Sequence, residues 1–217
     1  MRIGCFYIVM FCFLSACKSQ SDKSQEDSAV QETWAVDKYE FKKGENLNPK
    51  DWNCVKIEDN EICCPSNWKP VQQKSVSYFS YLNNNNKSTF FTIVNYTISE
   101  SNIDARRYLK LGYSQLLKDT VEKFTGFTVK KLIFQDNEAY YAEYFTEVNK
   151  QSYLTYSMLF EKDNYLYDIA LKVEKDKSPN YTETFKNILF SLKVKGEQVF
   201  DGEDKLEKIE IIDISKL

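Results

Sequence analysis

The stretch EAYYAEYFTEVNKQSYLTYSMLFEKDNYLYDIALKVE, residues 138–174, decides the fold. It is rich in aromatic and β-branched residues, and Asp163-Asn164 interrupts it with a pair that is typical of a two-residue hairpin turn. After this pair, apolar and polar residues alternate from Tyr165 to Val173, which is the pattern of a strand with one buried face. The segment before the Asp136-Asn137 turn predicts one further strand. The sequence therefore predicts four antiparallel strands, at 127–134, 138–147, 152–162 and 165–174.

Two amphipathic helices are predicted, one before and one after these strands. Ser101 and Asp104 resemble a capping box, and Gly126 predicts where the helix behind them ends. The apolar residues that recur at helical spacing in this first helix are Leu109, Tyr113, Leu116, Leu117, Val121 and Phe124. Ser178 and Pro179 predict the start of the second helix, as N-cap and first helical residue. Its apolar stripe consists of Tyr181, Phe185, Ile188, Leu189 and Leu192.

Further strands are predicted nearer the two ends of the chain. VSYFSYL at 76–82 and TFFTIVNYTI at 89–98 flank an asparagine-rich loop at 83–86. The tail after Gly196 is acidic, and we expect KIEIIDI at 208–214 to add an edge strand.

The cysteines of the folded part lie in a predicted β-hairpin over residues 52–64. With residues 59–60 as a two-residue loop, Cys54 and Cys63 lie diagonally on one face, and Cys64 points to the other. We therefore expect a Cys54–Cys63 disulfide with Cys64 reduced and buried. A bulge at the end of the hairpin would instead bring Cys64 opposite Cys54, which makes Cys64 the rival partner.

The first residues of the chain are typical of a secretory signal. Arg2 precedes an apolar run of 14 residues, 3–16, whereas a transmembrane helix needs about 20. The sequence LSAC at 14–17 matches the bacterial lipobox, so the chain resembles a diacylglycerol-modified bacterial lipoprotein in which Cys17 carries the lipid. Lys18 follows in place of the aspartate that often retains lipoproteins in the inner membrane, which favours the outer membrane.

These features give a predicted domain organisation of four segments. They are a signal peptide at 1–16, a flexible tether at 17–36, an α+β domain at 37–196 and an acidic C-terminal extension at 197–217.

The composition excludes several classes of function. The 217 residues include no histidine, which removes the common hydrolytic triads and histidine-ligated metal sites. The net charge is 29 − 32 = −3, which gives no electrostatic reason to expect nucleic-acid binding. No metal, cofactor or catalytic residue is predicted.

The order of the elements resembles the PsbP-like family, which includes the Mog-type Ran-binding fold and the bacterial DcrB-like proteins. The resemblance covers about residues 50–195. It rests on the hairpin that ends in Pro65-x-x-Trp68, two strands, a long helix, the four-strand meander, and the closing helix with Phe185 and Ile188. It implies an α+β fold, an antiparallel sheet with a long central helix and a C-terminal helix packed on its faces. The metal and ligand roles of the photosynthetic member do not carry over, since no matching histidine exists.

A tyrosine-rich surface is the candidate binding site. Tyr141, Tyr153 and Tyr167 on neighbouring strands, with Asn84 in the asparagine-rich loop, would form a platform for a sugar or a peptide. The alternative is cross-strand aromatic packing beneath the helices.

Two pairs of carboxylates, Glu143 with Glu147 and Glu161 with Asp163, could in principle flank a glycosidic bond. A solvated strand face and a turn explain the same residues without any catalysis.

The sequence favours a lipid-anchored envelope protein with a non-enzymatic binding or interaction domain. One alternative is an immunity or chaperone lipoprotein for a secreted effector, and another is an envelope hydrolase that uses carboxylates. The expected partners are the membrane, through the N-terminal lipid, and a protein of the envelope. Whether the domain faces the periplasm or the cell surface stays open.

Overall fold

The computed structural model describes residues 52–57, 59–73, 76–81, 90–98, 103–134, 137–176, 181–200 and 206–216. The strands within them are β1 (Trp52–Ile57), β2 (Asn60–Pro65), β3 (Trp68–Gln73), β4 (Val76–Tyr81), β5 (Phe90–Thr97), β6 (Lys123–Phe134), β7 (Glu138–Val148), β8 (Gln151–Lys162), β9 (Tyr165–Glu174), β10 (Lys193–Val194), β11 (Glu197–Gln198) and β12 (Leu206–Ile212). The helices are α1 (Ala105–Leu116) and α2 (Thr182–Ser191).

The larger sheet in the described part of the chain has the strand order β12-β6-β7-β8-β9-β5-β4-β3, and its neighbours are antiparallel. The predicted meander is confirmed and forms its centre as β6 to β9. Two-residue turns join β7 to β8 at Asn149-Lys150 and β8 to β9 at Asp163-Asn164. All four turn residues have positive φ, between 51° and 66°, as a type I′ hairpin turn requires.

Helix α1 is shorter than the sequence pattern indicates, so the predicted end at Gly126 is wrong. The helix ends at Leu116, and Gly126 lies in β6 beside a register shift. Asp119 explains the early end, because its carboxylate accepts hydrogen bonds from the backbone N–H groups of Val121 and Glu122, a local arrangement that competes with helical bonding. Leu117 and Val121 are accordingly 58% and 57% exposed.

The start of α1 also corrects the capping-box prediction. Asp104 is itself the N-cap, since its Oδ1 accepts a hydrogen bond from the backbone N–H of Arg107 at 2.7 Å. Ser101 lies outside the described residues.

Helix α2 begins at Thr182, later than the Ser178-Pro179 pair predicts, and those two residues lie outside the described part. Four of the five residues of its predicted apolar stripe are buried, and Tyr181 is half-buried. Phe185 and Ile188 are 1% exposed, and the Phe185 ring stacks on Tyr156 of β8 with centroids 5.7 Å apart.

Two hydrophobic clusters lie on opposite faces of the meander, because consecutive residues of a strand point to opposite sides. On one face, Ala139 and Tyr141 of β7 join the apolar stripe of α2. On the other, Tyr140 and Ala142 join Leu109 and other residues of α1.

The smaller sheet holds the disulfide, in the order β1-β2-β10-β11. Cys54 pairs directly with Cys63, and their sulfur atoms are bonded. The predicted diagonal placement is therefore wrong: Ile57 pairs with Asn60, which moves the turn one residue earlier than expected. The rival Cys54–Cys64 pairing is also wrong, because Asn53 and not Cys54 stands opposite Cys64.

Cys64 faces the core, where it is 1% exposed with a free thiol, and burial raises its pKa. Ser191 fixes the hairpin to α2, since its hydroxyl accepts a hydrogen bond from the backbone N–H of Cys63 at 2.9 Å. This contact joins residues 128 positions apart in the chain.

The C-terminal segment supplies an edge of the larger sheet. Among the described strands, β12 pairs with β6 and lies at the edge, as predicted, but it spans Leu206–Ile212 where the sequence predicts 208–214. Among the described residues, no helix is both long and apolar enough to cross a membrane.

Candidate functional site

The structure does not gather the predicted tyrosines into a surface. Tyr141 and Tyr167 are each 2% exposed and lie in the cluster beneath α2. Tyr153 is partly exposed on the opposite face, where the ammonium of Lys172 lies 5.0 Å from its ring centroid. The alternative of aromatic packing beneath a helix therefore describes Tyr141 and Tyr167. Asn84 and Cys17 lie outside the described residues.

One predicted carboxylate pair has an unsuitable spacing, and both residues of the other have structural partners. Glu143 and Glu147 are four residues apart on one strand, about 13 Å, whereas glycosidase carboxylates are separated by about 5–9.5 Å. Glu143 accepts a hydrogen bond from the Tyr141 hydroxyl at 2.5 Å. Asp163 pairs with Lys195 at 3.3 Å and Glu161 binds the first turn of α1, so these carboxylates stabilise the fold.

A polar network lies between α1 and the sheet, centred on Asp168 of β9. The Asp168 carboxylate accepts hydrogen bonds from the hydroxyls of Tyr108, at 2.7 Å, and Ser157, at 2.8 Å. Burial raises the pKa of Asp168, and the two hydrogen bonds oppose that rise. The pKa of the nearby Tyr144 is also raised, first by burial and then by the charge of Asp168. The network joins α1 to two central strands.

A second part of this polar face contains the ion pair of Lys172 with Glu122, whose side chains are 16% and 19% exposed. The Glu122 carboxylate also accepts a hydrogen bond from the Thr146 hydroxyl. The pair therefore fixes the segment after α1 to β7 and β9. Because every group named here already binds another part of the fold, we assign this face a structural role.

Replacing Asp168 with asparagine is expected to change how stability depends on pH. Since the folded-state pKa of Asp168 lies above its unfolded value, its contribution is full below the unfolded pKa and is lost as the pH rises through the folded pKa. Wild type should therefore lose stability relative to Asp168→Asn as the pH is raised from about 4 towards neutral. Urea unfolding of both proteins across this range measures the difference.

Tyr108→Phe provides a second arm of the same test. It removes a hydrogen bond that lowers the pKa of Asp168, so the loss of stability over this pH range should become larger. A flat difference between wild type and Asp168→Asn would contradict the assignment.

A groove of about 570 Å³ opens at the N-terminal end of α1 and is the candidate functional site. The ends of β6 and β8 and the start of β7 form its other walls. On the face that α1 covers, its floor consists of the buried Tyr140 and the half-buried Ile133. Phe134 and Phe160 also line the groove, but they belong to the cluster on the opposite face of the sheet.

Three carboxylates on the walls of the groove give it a negative charge. Asp104, Glu138 and Glu161 are exposed, and Arg106 is the cation among the lining residues, so the lining carries 1 − 3 = −2. One oxygen of each carboxylate is already engaged: Asp104 caps α1, and Glu161 Oε1 accepts from the backbone N–H of Ala105 at 3.1 Å. These bonds hold the carboxylates in place at the rim, beside Tyr140 and Ile133.

Of the three lining carboxylates, Glu138 contributes least to stabilising the fold. It forms an ion pair with Lys131 at 2.5 Å, and its side chain is 54% exposed. The ammonium of Lys131 also lies 5.9 Å from the ring centroid of Tyr140.

The chemistry of the groove fits binding of a positively charged group beside an apolar one. Within the described residues, no set of three or more cysteine, aspartate or glutamate side chains is placed to hold a metal ion. Sequence reasoning missed the groove, although the predicted meander places Glu138 and Glu161 at the same end of a hairpin. Asp104 joins them only through the docking of α1.

No protein-family model matches the chain, and no curated protein matches its sequence. Solved structures do resemble it. The solution structure of cyanobacterial PsbP from Synechocystis sp. PCC 6803 is 14% identical, with a TM-score of 0.51, over 70% of this chain and 96% of that one. The Saccharomyces cerevisiae Ran-binding protein Mog1p is 9% identical, with a TM-score of 0.48, over 66% and 95%. LpqN of Mycobacterium tuberculosis, which is involved in cell envelope biogenesis, is 12% identical, with a TM-score of 0.41, over 74% and 90%. At these identities the likeness to PsbP shows the fold alone, and the described domain therefore has a PsbP-like α+β fold.

Proposed function

We propose that the protein is a lipid-anchored envelope protein whose folded domain binds a protein partner and catalyses no reaction. The groove at the start of α1 is the proposed binding site, and a basic segment with a neighbouring apolar side chain is its proposed occupant.

The observation that carries this proposal is the arrangement of charge in the groove. Three exposed carboxylates lie around Tyr140 and the half-buried Ile133, and the net charge of the lining residues is −2. Complementary charge guides association and sets its specificity, and a half-buried apolar side chain such as Ile133 accepts the apolar part of a lysine or arginine side chain. The engaged carboxylates favour binding over catalysis, because they already act as helix caps and ion-pair partners.

The anchor in this proposal rests on the sequence. LSAC at 14–17 follows an apolar run of the length that a signal peptide needs, and a polar segment without aromatic residues follows Cys17 as far as about residue 32. A lipid on Cys17 would hold the domain at the membrane surface by a polar tether.

Charge reversal in the groove is expected to release the partner. Glu138→Lys places a second ammonium beside Lys131, and like charges facing each other across an interface cost several kcal/mol. After crosslinking in intact cells and affinity capture of the full chain, recovery of the partner should fall at least about tenfold.

Glu183→Lys is the matched control for this experiment. Glu183 is also 54% exposed and also pairs with a lysine, Lys186, but it lies on α2. Loss of the partner with Glu138→Lys and its retention with Glu183→Lys support the proposal. Equal recovery with both variants would place the partner elsewhere and overturn the assignment of the groove.

A further inference from the structure

Strand β12 exposes large apolar side chains at the edge of the larger sheet. Ile209 and Ile211 are 39% and 79% exposed, and both point to one face of the sheet, since they are two residues apart. An edge strand also presents backbone N–H and C=O groups that a further strand can pair with. Natural edges usually avoid exposed apolar side chains, so these two isoleucines need an explanation.

Two opposite charges flank the central residue of β12. The strand runs over seven residues, Leu206–Ile212, and Ile209 is the middle one. Lys208 and Glu210 flank Ile209 on the other face of the sheet, 64% and 36% exposed, and form an ion pair at 2.6 Å.

We propose that β12 pairs with β12 of a second copy of this chain, antiparallel and about a two-fold axis at Ile209. In this register Ile209 stands opposite Ile209 of the second copy, within the regular part of the strand that follows the register shift between Leu206 and Lys208. Lys208 stands opposite Glu210 of the second copy and Glu210 opposite Lys208, so both cross-strand charge pairs attract. A two-fold interface of this kind closes on itself and forms a dimer.

The neighbouring strand extends the same charge pattern. Glu210 pairs in register with Lys131 of β6. Across the proposed interface the order on this face is Lys131, Glu210 and then Lys208 of the second copy, which alternates in sign. On the opposite face, Ile209 stands against Ile209 of the second copy and lies diagonally from its Ile211, while Ile211 stands opposite Glu207 of the second copy.

The interface is small, so the association should be weak. Seven residues from each copy compare with about 20–30 on each side of a standard interface. A covalent trap in cells expressing the full chain therefore suits the test better than a measurement in dilute solution.

Ile209→Cys should form disulfide-linked dimers on mild oxidation of these cells, detected on a non-reducing gel. The two substituted positions face each other across the axis, within the distance of about 7 Å that a disulfide allows. Ile211→Cys is the control, because the two copies of position 211 lie four residues apart along the strand direction, about 13 Å. No dimer above the level of the parent chain with Ile209→Cys, or equal trapping with Ile211→Cys, would overturn the proposal.

Charge reversal between two differently tagged copies provides an independent test. Lys208→Glu in both copies places glutamates opposite each other, and Glu210→Lys in both copies places lysines opposite each other. Co-capture should fall about tenfold in either case. A Lys208→Glu copy expressed with a Glu210→Lys copy restores opposite charges at both positions and should recover the wild-type level. Failure of this mixed pair to recover would refute the register.

Discussion

Replacing Phe185 with alanine is expected to lower the free energy of unfolding by about 3–5 kcal/mol. Phe185 is 1% exposed and its ring stacks on Tyr156, so it joins α2 to the centre of the sheet. The loss combines the transfer free energy of the ring with the cavity that it leaves. Because natural domains are stable by only about 5–15 kcal/mol, the variant should unfold at a much lower urea concentration.

Leu117→Ala is the control for this prediction. Leu117 follows the last residue of α1 and is 58% exposed, so its replacement should change the free energy of unfolding by less than about 0.5 kcal/mol. Urea unfolding monitored by circular dichroism measures both values. An effect of Phe185→Ala below about 1 kcal/mol would mean that α2 contributes little to the core.

Replacing Cys17 with serine is expected to abolish lipid attachment completely. The sulfur of Cys17 is the atom to which the diacylglycerol would be joined. A serine hydroxyl does not substitute for it, because the thiolate is the stronger nucleophile. Metabolic labelling with an alkyne-bearing fatty acid should mark the wild-type protein and leave Cys17→Ser unmarked and unprocessed.

Cys12→Ser controls for the loss of a cysteine from the same part of the chain. Cys12 lies in the apolar run that would be removed, so this variant should keep the label. A mature wild-type protein with an unmodified N-terminus at any other residue would contradict the lipoprotein assignment.

The centre of the sheet could be predicted from the sequence because its signals are local. Alternation from Tyr165 to Val173 marks a strand, and Asp163-Asn164 supplies the left-handed residues of its turn. The end of α1 could not be predicted in this way. Leu117 and Val121 continue the apolar spacing of the helix, but the side chain of Asp119 provides a competing set of hydrogen bonds.

The candidate site depends on contacts that no local pattern contains. Alternation places Tyr167 on one face of β9, but only the docking of α2 on that face decides that the tyrosine is buried. In the same way, the register of β7 with β8 brings Glu138 close to Glu161, and the placement of α1 adds Asp104. Sequence reasoning therefore selected Tyr141 and Tyr167, which are buried, and did not select the groove.

The Cys54–Cys63 disulfide has a consequence for oxidative folding. A bond from Cys54 to Cys64 would need β1 and β2 to slip by one residue, which would turn Ile62 from the core to solvent. While the hairpin is unfolded, all three thiols can exchange partners. Once it docks under α2, Cys64 is buried and its raised pKa keeps it protonated, so it no longer attacks the neighbouring bond. Formation of the core therefore favours the Cys54–Cys63 bond over the alternative pairing. The bond then stabilises the hairpin in the register in which the core formed.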